Sequence, residues 1–320
     1  MVKEEIRWKG TPVLRDALCL GNRTFIISSG FVKTAKLKNE WQEDVDNPGE
    51  IIRSLERAPT KIDMLQFWQR IPESTAKFPY YKEWSDVAAI PIATFKQWWE
   101  KQISPKVRNK IRKSQKMGVV VRQISLDDDV IRGIMGVFND SPVRRGKRFW
   151  HYGRDFDSVK EGMRTDSQQS IFVGAFHRDE MIGFIKFIVT DRYAMTSLIL
   201  DKQSHRDKAP MNAMIAKVVE ICAERQIPYF TYTVWRRGEH GHFQESNGFI
   251  KIPVPEYFVP LTLKGTLALR FGLHRGLKGA LPEKVLMWLL RMRSKWYSVR
   301  YARGELDHLM ERKSISVQSS

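Results

Sequence analysis

Four ionisable side chains fall into two close pairs, Asp201 with His205 and His240 with His242. Each pair follows a run that reads as a β-strand, "YAMTSLIL" for the first and "PYFTYTVW" for the second. An imidazole changes charge between about pH 5 and 8, so such groups at the ends of neighbouring strands could take and return a proton during a group transfer. Just past the first pair, Arg206, Asp207 and Lys208 precede Ala209, Pro210, Met211 and Asn212. A proline followed by an apolar period marks a helix start, whose free amides and positive dipole end attract anions. The plainer reading is a solvated charged loop before a proline-led helix. A third stretch, "SPVRRGKRFWHYGRDF", sets Arg144, Arg145, Lys147 and Arg148 beside Trp150, His151 and Tyr152. Those cations suit an anionic substrate and those rings a sugar or a base. Alternatively the loop is solvated and its aromatics plug the core.

The elements that must hold these residues follow from pattern. "RTFIISSGFVKTAKLK" predicts one or two strands, "PGEIIRSLERA" a short helix and "KIDMLQFWQRI" another strand. "DVAAIPI" is extended and "TFKQWWEKQI" helical with Thr94 as N-cap; "SPKVRNKIRKSQKMG" is a helix between Ser104–Pro105 and Gly118. From about residue 126 the predicted order is helix, basic aromatic loop, helix, a hairpin of two strands, a third strand, a helix, a strand, a short helix and a proline-interrupted strand pair. In the helix after Pro210, residues Met211, Met214, Ile215, Val218, Val219 and Cys222 share one face.

Composition bounds the class. The chain has 320 residues, 42% of them hydrophobic, which suits two soluble domains. It lacks an apolar run of membrane-spanning length and begins without the apolar stretch of a secretory signal, so a cytoplasmic location is expected. Cys19 and Cys222 lie far apart without metal-ligand spacing, so reduced thiols and no metal are expected. The net charge is +18, unevenly spread. Residues 105–122 carry seven Lys or Arg and no acid, and residues 262–304 carry ten against Glu283 alone. Such a field favours phosphate-bearing cofactors, RNA or acidic lipid.

The order of elements over 126–262, with "NGF" closing the short helix, resembles the GNAT acyltransferase fold. "RNKIRKSQKMGVVVR" and "GHFQESNGFIKIPVPEYFVPLT" are similar to its FemAB-related branch. The resemblance implies a mixed α/β sheet, with a degenerate GNAT-like half at 1–125, an acyltransferase domain at 126–262 and a basic helical tail at 263–320, disordered at its Ser-rich end. It places the donor diphosphate of an acyl-CoA such as acetyl-CoA on Arg206 to Asn212, and the acceptor under the loop of Arg144, Arg145, Arg148, Trp150, His151 and Tyr152. Two departures stand out. Pro210 and Met211 fall where the family has an amide and a small residue, and Gln244 stands where many members carry a proton-handling tyrosine. Gln244 is therefore assigned to the acceptor, and proton handling to His242, His240, Asp201 or His205.

Three functions stay open on the sequence. The first is acyl transfer from a thioester to an amine or hydroxyl of an anionic or sugar-containing acceptor, in envelope or polysaccharide metabolism. The second is aminoacyl transfer from tRNA, as the FemAB resemblance implies, and the third is binding without catalysis. Peripheral contact of 263–320 with the inner face of an anionic membrane is a further expectation.

Overall fold

The computed structural model describes residues 2–8, 11–28, 30–144, 147–235 and 238–275, together with Trp288, Met292 and Lys295. The first half comprises β1 (Val2–Trp8), β2 (Thr11–Leu20), β3 (Arg23–Ile27), β4 (Thr34–Leu37), α1 (Pro48–Glu56), β5 (Met64–Trp68) and β6 (Tyr81–Pro91). There follow α2 (Phe95–Gln97), which widens into a π-type turn at Trp98–Gln102, then α3 (Pro105–Lys116), β7 (Val119–Ile124) and α4 (Asp128–Phe138). A two-residue hairpin, β8 (Val143–Arg144) and β9 (Lys147–Arg148), precedes α5 (Phe156–Arg164), β10 (Ser170–His177), β11 (Glu180–Val189) and β12 (Ala194–Asp201). The chain continues through α6 (Pro210–Glu224), β13 (Tyr229–Val234), α7 (Glu239–Ser246), β14 (Ile250–Pro260) and α8 (Leu263–Arg270).

Twelve strands make one mixed sheet in the order β1-β2-β3-β4-β5-β14-β6-β13-β12-β11-β10-β7. The two N-terminal strands, β1 and β2, were not picked out from the sequence. Local chemistry sets the helices as expected. Ser104 Oγ accepts from the Val107 amide at 3.3 Å and Gly118 adopts φ +78°, so α3 starts and stops where its cap residues stand. Its buried residues Val107, Ile111 and Ser114 form one stripe, which leaves the cations on the other face. Asp127 caps α4 through the Val130 amide at 2.8 Å. In α6, Met214, Ile215, Val218, Val219 and Cys222 are wholly enclosed, as their spacing predicts.

Packing joins the two halves through β6, whose Ala88 and Ile90 lie in the main core. Trp98, Ile103, Val107, Ile111 and Val119 share one core with Ile171, Phe187, Met214 and Phe249, on the sheet face covered by α3 and α6. The opposite face of the same strands is covered by α4 and α5. In the first half, Ile51 and Leu55 of α1 close over Phe25, Ala35, Leu65, Phe67 and Tyr257.

The last strand corrects the expected proline-interrupted pair. β14 is continuous over eleven residues and lies between β5 and β6. Pro255 O accepts from the Gln69 amide on the β5 side, and Pro253 has the same parity, so both missing N–H groups face away from β6. That side carries no ladder until Glu256, so the prolines cost β14 no bond to its long neighbour.

Residues 263–275, the start of the expected basic helical tail, lie against the first half. Gly265 lies so close to Asp63 that a Cβ would sit 2.0 Å from the Asp63 carbonyl oxygen. Ala268 packs on Val32, Met64 and Phe258. His274 Nε2 meets Glu83 Oε1 at 2.8 Å, and Arg275 also pairs with Glu83. The remainder of the tail, apart from Trp288, Met292 and Lys295, lies outside the described residues.

One ionic cluster ties the two halves together. Arg70, 3% exposed, donates to Asp44 Oδ2 at 2.7 Å and to Asp191 Oδ1 at 2.8 Å. Arg192 reaches the same Asp44 at 2.8 Å. Burial alone would raise the Asp44 pKa, but hydrogen bonding from Arg70 and the charges of Arg70 and Arg192 outweigh it and hold the carboxyl below its usual range. Arg70 likewise lowers Asp191.

Gly265→Ala is expected to destabilise the fold by about 2 kcal/mol, because the backbone under it cannot yield, measured by urea unfolding. A depressed carboxylate stabilises the fold above its unfolded pKa of about 3.9, and that contribution disappears as pH falls through the folded value. Asp44→Asn should therefore cost about 2 kcal/mol at neutral pH, by leaving Arg70 under-paired, and progressively less as pH falls below about 3.9 and through the lowered folded value. A loss that does not shrink on acidification would contradict this account.

Candidate active site

The site begins where two parallel strands part. β12 and β13 pair at Ala194↔Phe230 and Met195↔Thr231, and Thr196 Oγ1 then donates to Thr231 O at 3.0 Å. Beyond that point each strand follows its other neighbour. β12 stays on β11 with one extra residue, Ser197, between the pairs Thr196↔Phe187 and Leu198↔Lys186. β13 stays on β6 with an irregularity between Thr231 and Val234. Diverging parallel strands leave main-chain groups along the inner edges of a fork, which can bind an extended arm as an added strand would. A bulge at the mouth re-aims one residue, here the exposed Ser197. At its base lies a cavity of about 60 Å³ lined by Trp41, Ile71, Val87, Tyr193, Met195, Thr196 and Thr231. Sequence reasoning passed over Ser197, Thr196 and Thr231. The one local signal was the pair of small hydroxyl residues breaking the alternation of "AMTSLILD".

At the far end of β12 a 3₁₀ turn, Gln203–Lys208, leads into α6. Asp140 pins this turn by accepting from the Gln203 amide at 2.5 Å and from Ser204 Oγ at 2.6 Å. Ala209 adopts φ 52° and ψ 44°, a left-handed conformation that explains why a small residue stands here. The start of α6 has no side-chain cap. Arg206 remains half-exposed with Nε 3.5 Å from Asp201 Oδ1, and Lys208 Nζ lies 3.3 Å from Asp207 Oδ1. Two expected loop ligands face elsewhere. Met211 packs against the main core, and Asn212 is buried with Nδ2 donating to Asn247 Oδ1 at 3.0 Å.

The four ionisable groups do not form one cluster. Asp201 is buried, and burial raises its pKa against the opposing charges of Arg206 and Arg144. Four residues of strand place it roughly 13 Å from Ser197. His205 turns towards the β10–β11 hairpin, with Nε2 3.5 Å from Glu180 Oε2 and its ring 5.9 Å from that of His177. That is the side of β12 away from β13. On α7, which follows β13, His242 is exposed and His240 half-buried.

Gln244 is fully enclosed, and its Nε2 donates to Tyr232 O at 3.3 Å, where β13 departs from regular pairing with β6. It is a structural amide rather than an acceptor ligand. The "NGF" closure is equally structural. Asn247 Nδ2 donates to Phe243 O at 2.7 Å, and Trp98 Nε1 donates to Asn247 O at 3.0 Å. Gly248 adopts φ +85° with its would-be Cβ 3.0 Å from Trp98 Nε1, so only glycine fits comfortably.

The basic aromatic loop divides between structure and surface. Arg144 donates to Asp201 O at 2.8 Å and Val137 O at 3.1 Å and lies over the Phe149 ring, which commits it to holding the loop. His151 is buried, its ring 4.4 Å from that of Phe138, and burial together with the charges of Arg154 and Arg144 lowers its pKa to about 4. It is therefore a neutral core plug at physiological pH. Arg148, Trp150 and Tyr152 are exposed, whereas Arg145 lies outside the described residues. Among the described residues no group of three His, Cys, Asp or Glu side chains could hold a metal ion.

Gln244→Ala is expected to cost about 1–2 kcal/mol of stability by removing a buried hydrogen bond to the Tyr232 carbonyl, while turnover per folded molecule changes little. Gln244→Tyr must force a ring into an enclosed space and should destabilise more than Gln244→Ala. Thermal melts of both variants test the order.

No family model matches the chain, and no curated protein matches it in sequence. Solved structures do. The C-terminal DUF2156 domain of an assigned lysylphosphatidylglycerol synthetase from Agrobacterium fabrum is 12% identical, covering 80% of this chain and 87% of that one with a TM-score of 0.56. FemX is 9% identical over 79% and 89%, with a TM-score of 0.54. L-PGS from Bacillus licheniformis is 13% identical over 80% and 86%, with a TM-score of 0.53. The chain has the GNAT-type mixed α/β fold in the form that these structures share.

Proposed function

We propose that this protein is an acyltransferase that passes an acyl group from a phosphate-bearing carrier to an amine or hydroxyl of an anionic or sugar-containing acceptor. The observation that carries this reading is the fork between β12 and β13, bulged at Ser197 and leading to the helix start flanked by Arg206 and Lys208. The carrier's arm would lie along the fork with its phosphates at the α6 start, where free amides and dipole favour negative charge. The acceptor heteroatom bonds to the acyl carbon, the carbon–sulfur or carbon–oxygen bond to the carrier breaks, and the acceptor's proton passes to a base as the leaving group gains one. Main-chain amides at the bulge would steady the oxyanion. His242, exposed on the helix after β13, is the assigned proton carrier, since Asp201 is buried and His205 turns towards the β10–β11 hairpin. Arg148, Trp150 and Tyr152 offer the acceptor surface.

The donor is first a thioester such as acetyl-CoA. A second reading, aminoacyl-tRNA, is favoured by the exposed cations Lys106, Lys110, Arg112, Lys113 and Lys116 on α3, a helix that packs beside α6 and the 203–208 turn. The fold shared with FemX and with L-PGS supports it too.

Calorimetric titration of acetyl-CoA and of aminoacyl-tRNA into the same protein separates the two donors. Arg206→Glu should weaken the true donor at least about tenfold, since it reverses a charge at a helix-terminal anion site. Unchanged affinity for both would place the donor elsewhere. His242→Ala should lower turnover at least about tenfold with donor affinity intact. Binding of a donor without turnover on any amine or hydroxyl acceptor would instead favour a binding protein.

A further inference from the structure

α8 is apolar on two sides. Gly265 and Ala268 face inward and are buried against the first half. Leu263, Leu267 and Phe271, at successive four-residue steps, face outward and are 76%, 45% and 67% exposed. Phe31, in the turn between β3 and β4, is 76% exposed, and Lys264 Nζ lies 4.4 Å above the centre of its ring. Helical rise sets Leu263 and Phe271 about 12 Å apart, so Leu263, Leu267 and Phe271 make one apolar ridge, and Phe31 lies beside the helix under Lys264. Around it stand Lys264, Arg270 and Lys33, all exposed, while Asp63, the acid nearest to Lys264, is buried beneath.

A ridge of this kind is out of place in water, and its surroundings select among possible covers. Protein interfaces are depleted in lysine, whereas a bilayer surface takes apolar side chains at the acyl boundary and Lys and Arg at lipid phosphates. The chain beyond continues the same composition, with Glu283 as the sole acid up to residue 304. Trp288 and Met292, four residues apart and helical, are 59% and 53% exposed. Among the described residues no helix is long and apolar enough to cross a membrane, so the contact would be peripheral.

We infer that α8 and the β3–β4 turn form a docking face for an anionic lipid bilayer. Leu263, Leu267, Phe271 and Phe31 enter the headgroup boundary, and Lys264 and Arg270 contact lipid phosphates. This face is independent of the identity of the donor. It would bring the protein to the inner surface of a membrane from the cytoplasm.

The test is sedimentation of the full chain with vesicles of phosphatidylcholine alone and of phosphatidylcholine mixed with phosphatidylglycerol. The chain should bind the mixed vesicles and leave the neutral ones largely free. Leu267→Gln with Phe271→Gln keeps the charge and should lower partitioning at least about tenfold. Phe31→Gln, outside the helix, should lower it too, and it decides the matter if the double variant fails to fold. Wild-type binding by folded variants would show that charge alone docks the protein and would overturn the proposal. So would absence of vesicle binding, or self-association through this face without lipid.

Discussion

Parallel strands joined by a helix need support on their outer sides if they are to stand apart on their inner ones. β12 and β13 are connected through α6, touch over two residue pairs and then diverge. Each therefore leans on a neighbour. β12 has β11, from its own half, but β13 has β6, which belongs to the first half of the chain. The first half is a wall of the site, not an appendage. Around the fork the buried side chains act as spacers: Gln244 satisfies a β13 carbonyl at an irregularity, and Asn212 joins Asn247, fixing α6 to α7.

The price of using two halves is a seam that must be held in register. Arg70 with Asp44 and Asp191 does this with charge, and Tyr193, buried and donating to Trp41 O, does it with a ring. Removing Arg70 and most of Asp44 from water costs several kcal/mol per ion, while Asp191 stays largely solvated, so the cluster's net stabilisation is smaller than its short distances suggest. Its geometry specifies one arrangement, because Asp44 serves arginines from both halves. The floor of the fork, lined by Trp41, Tyr193 and Met195, is built on this seam.

Elements set by local chemistry could be read from the sequence. Ser104, Pro105 and Gly118 delimit α3, and the apolar period of α6 marks its buried face, because caps and periodicity act within a few residues. Features set by distant partners could not. The prolines of β14 read as interruptions until its neighbours show that their missing amides face an open flank. Arg144 and His151 have the types and spacing of ligands, yet a backbone carbonyl across the fold and a phenylalanine stack decide their roles. The fork is a failure of pairing between residues more than thirty positions apart, and neither strand alone records it.

The place of β14 also governs how the chain can assemble. Among the described residues it is the last strand in chain order and one of the most central in the sheet. Until it is available, β5 and the longer β6 each present an unpaired edge, with Phe67, Ala88 and Ile90 among the residues that end almost fully enclosed. Exposed edges of this kind template aggregation, and closing a sheet with partners 161 to 196 residues upstream is slow because loop entropy must be overcome first. The nascent chain thus spends most of its synthesis with its sheet split in two.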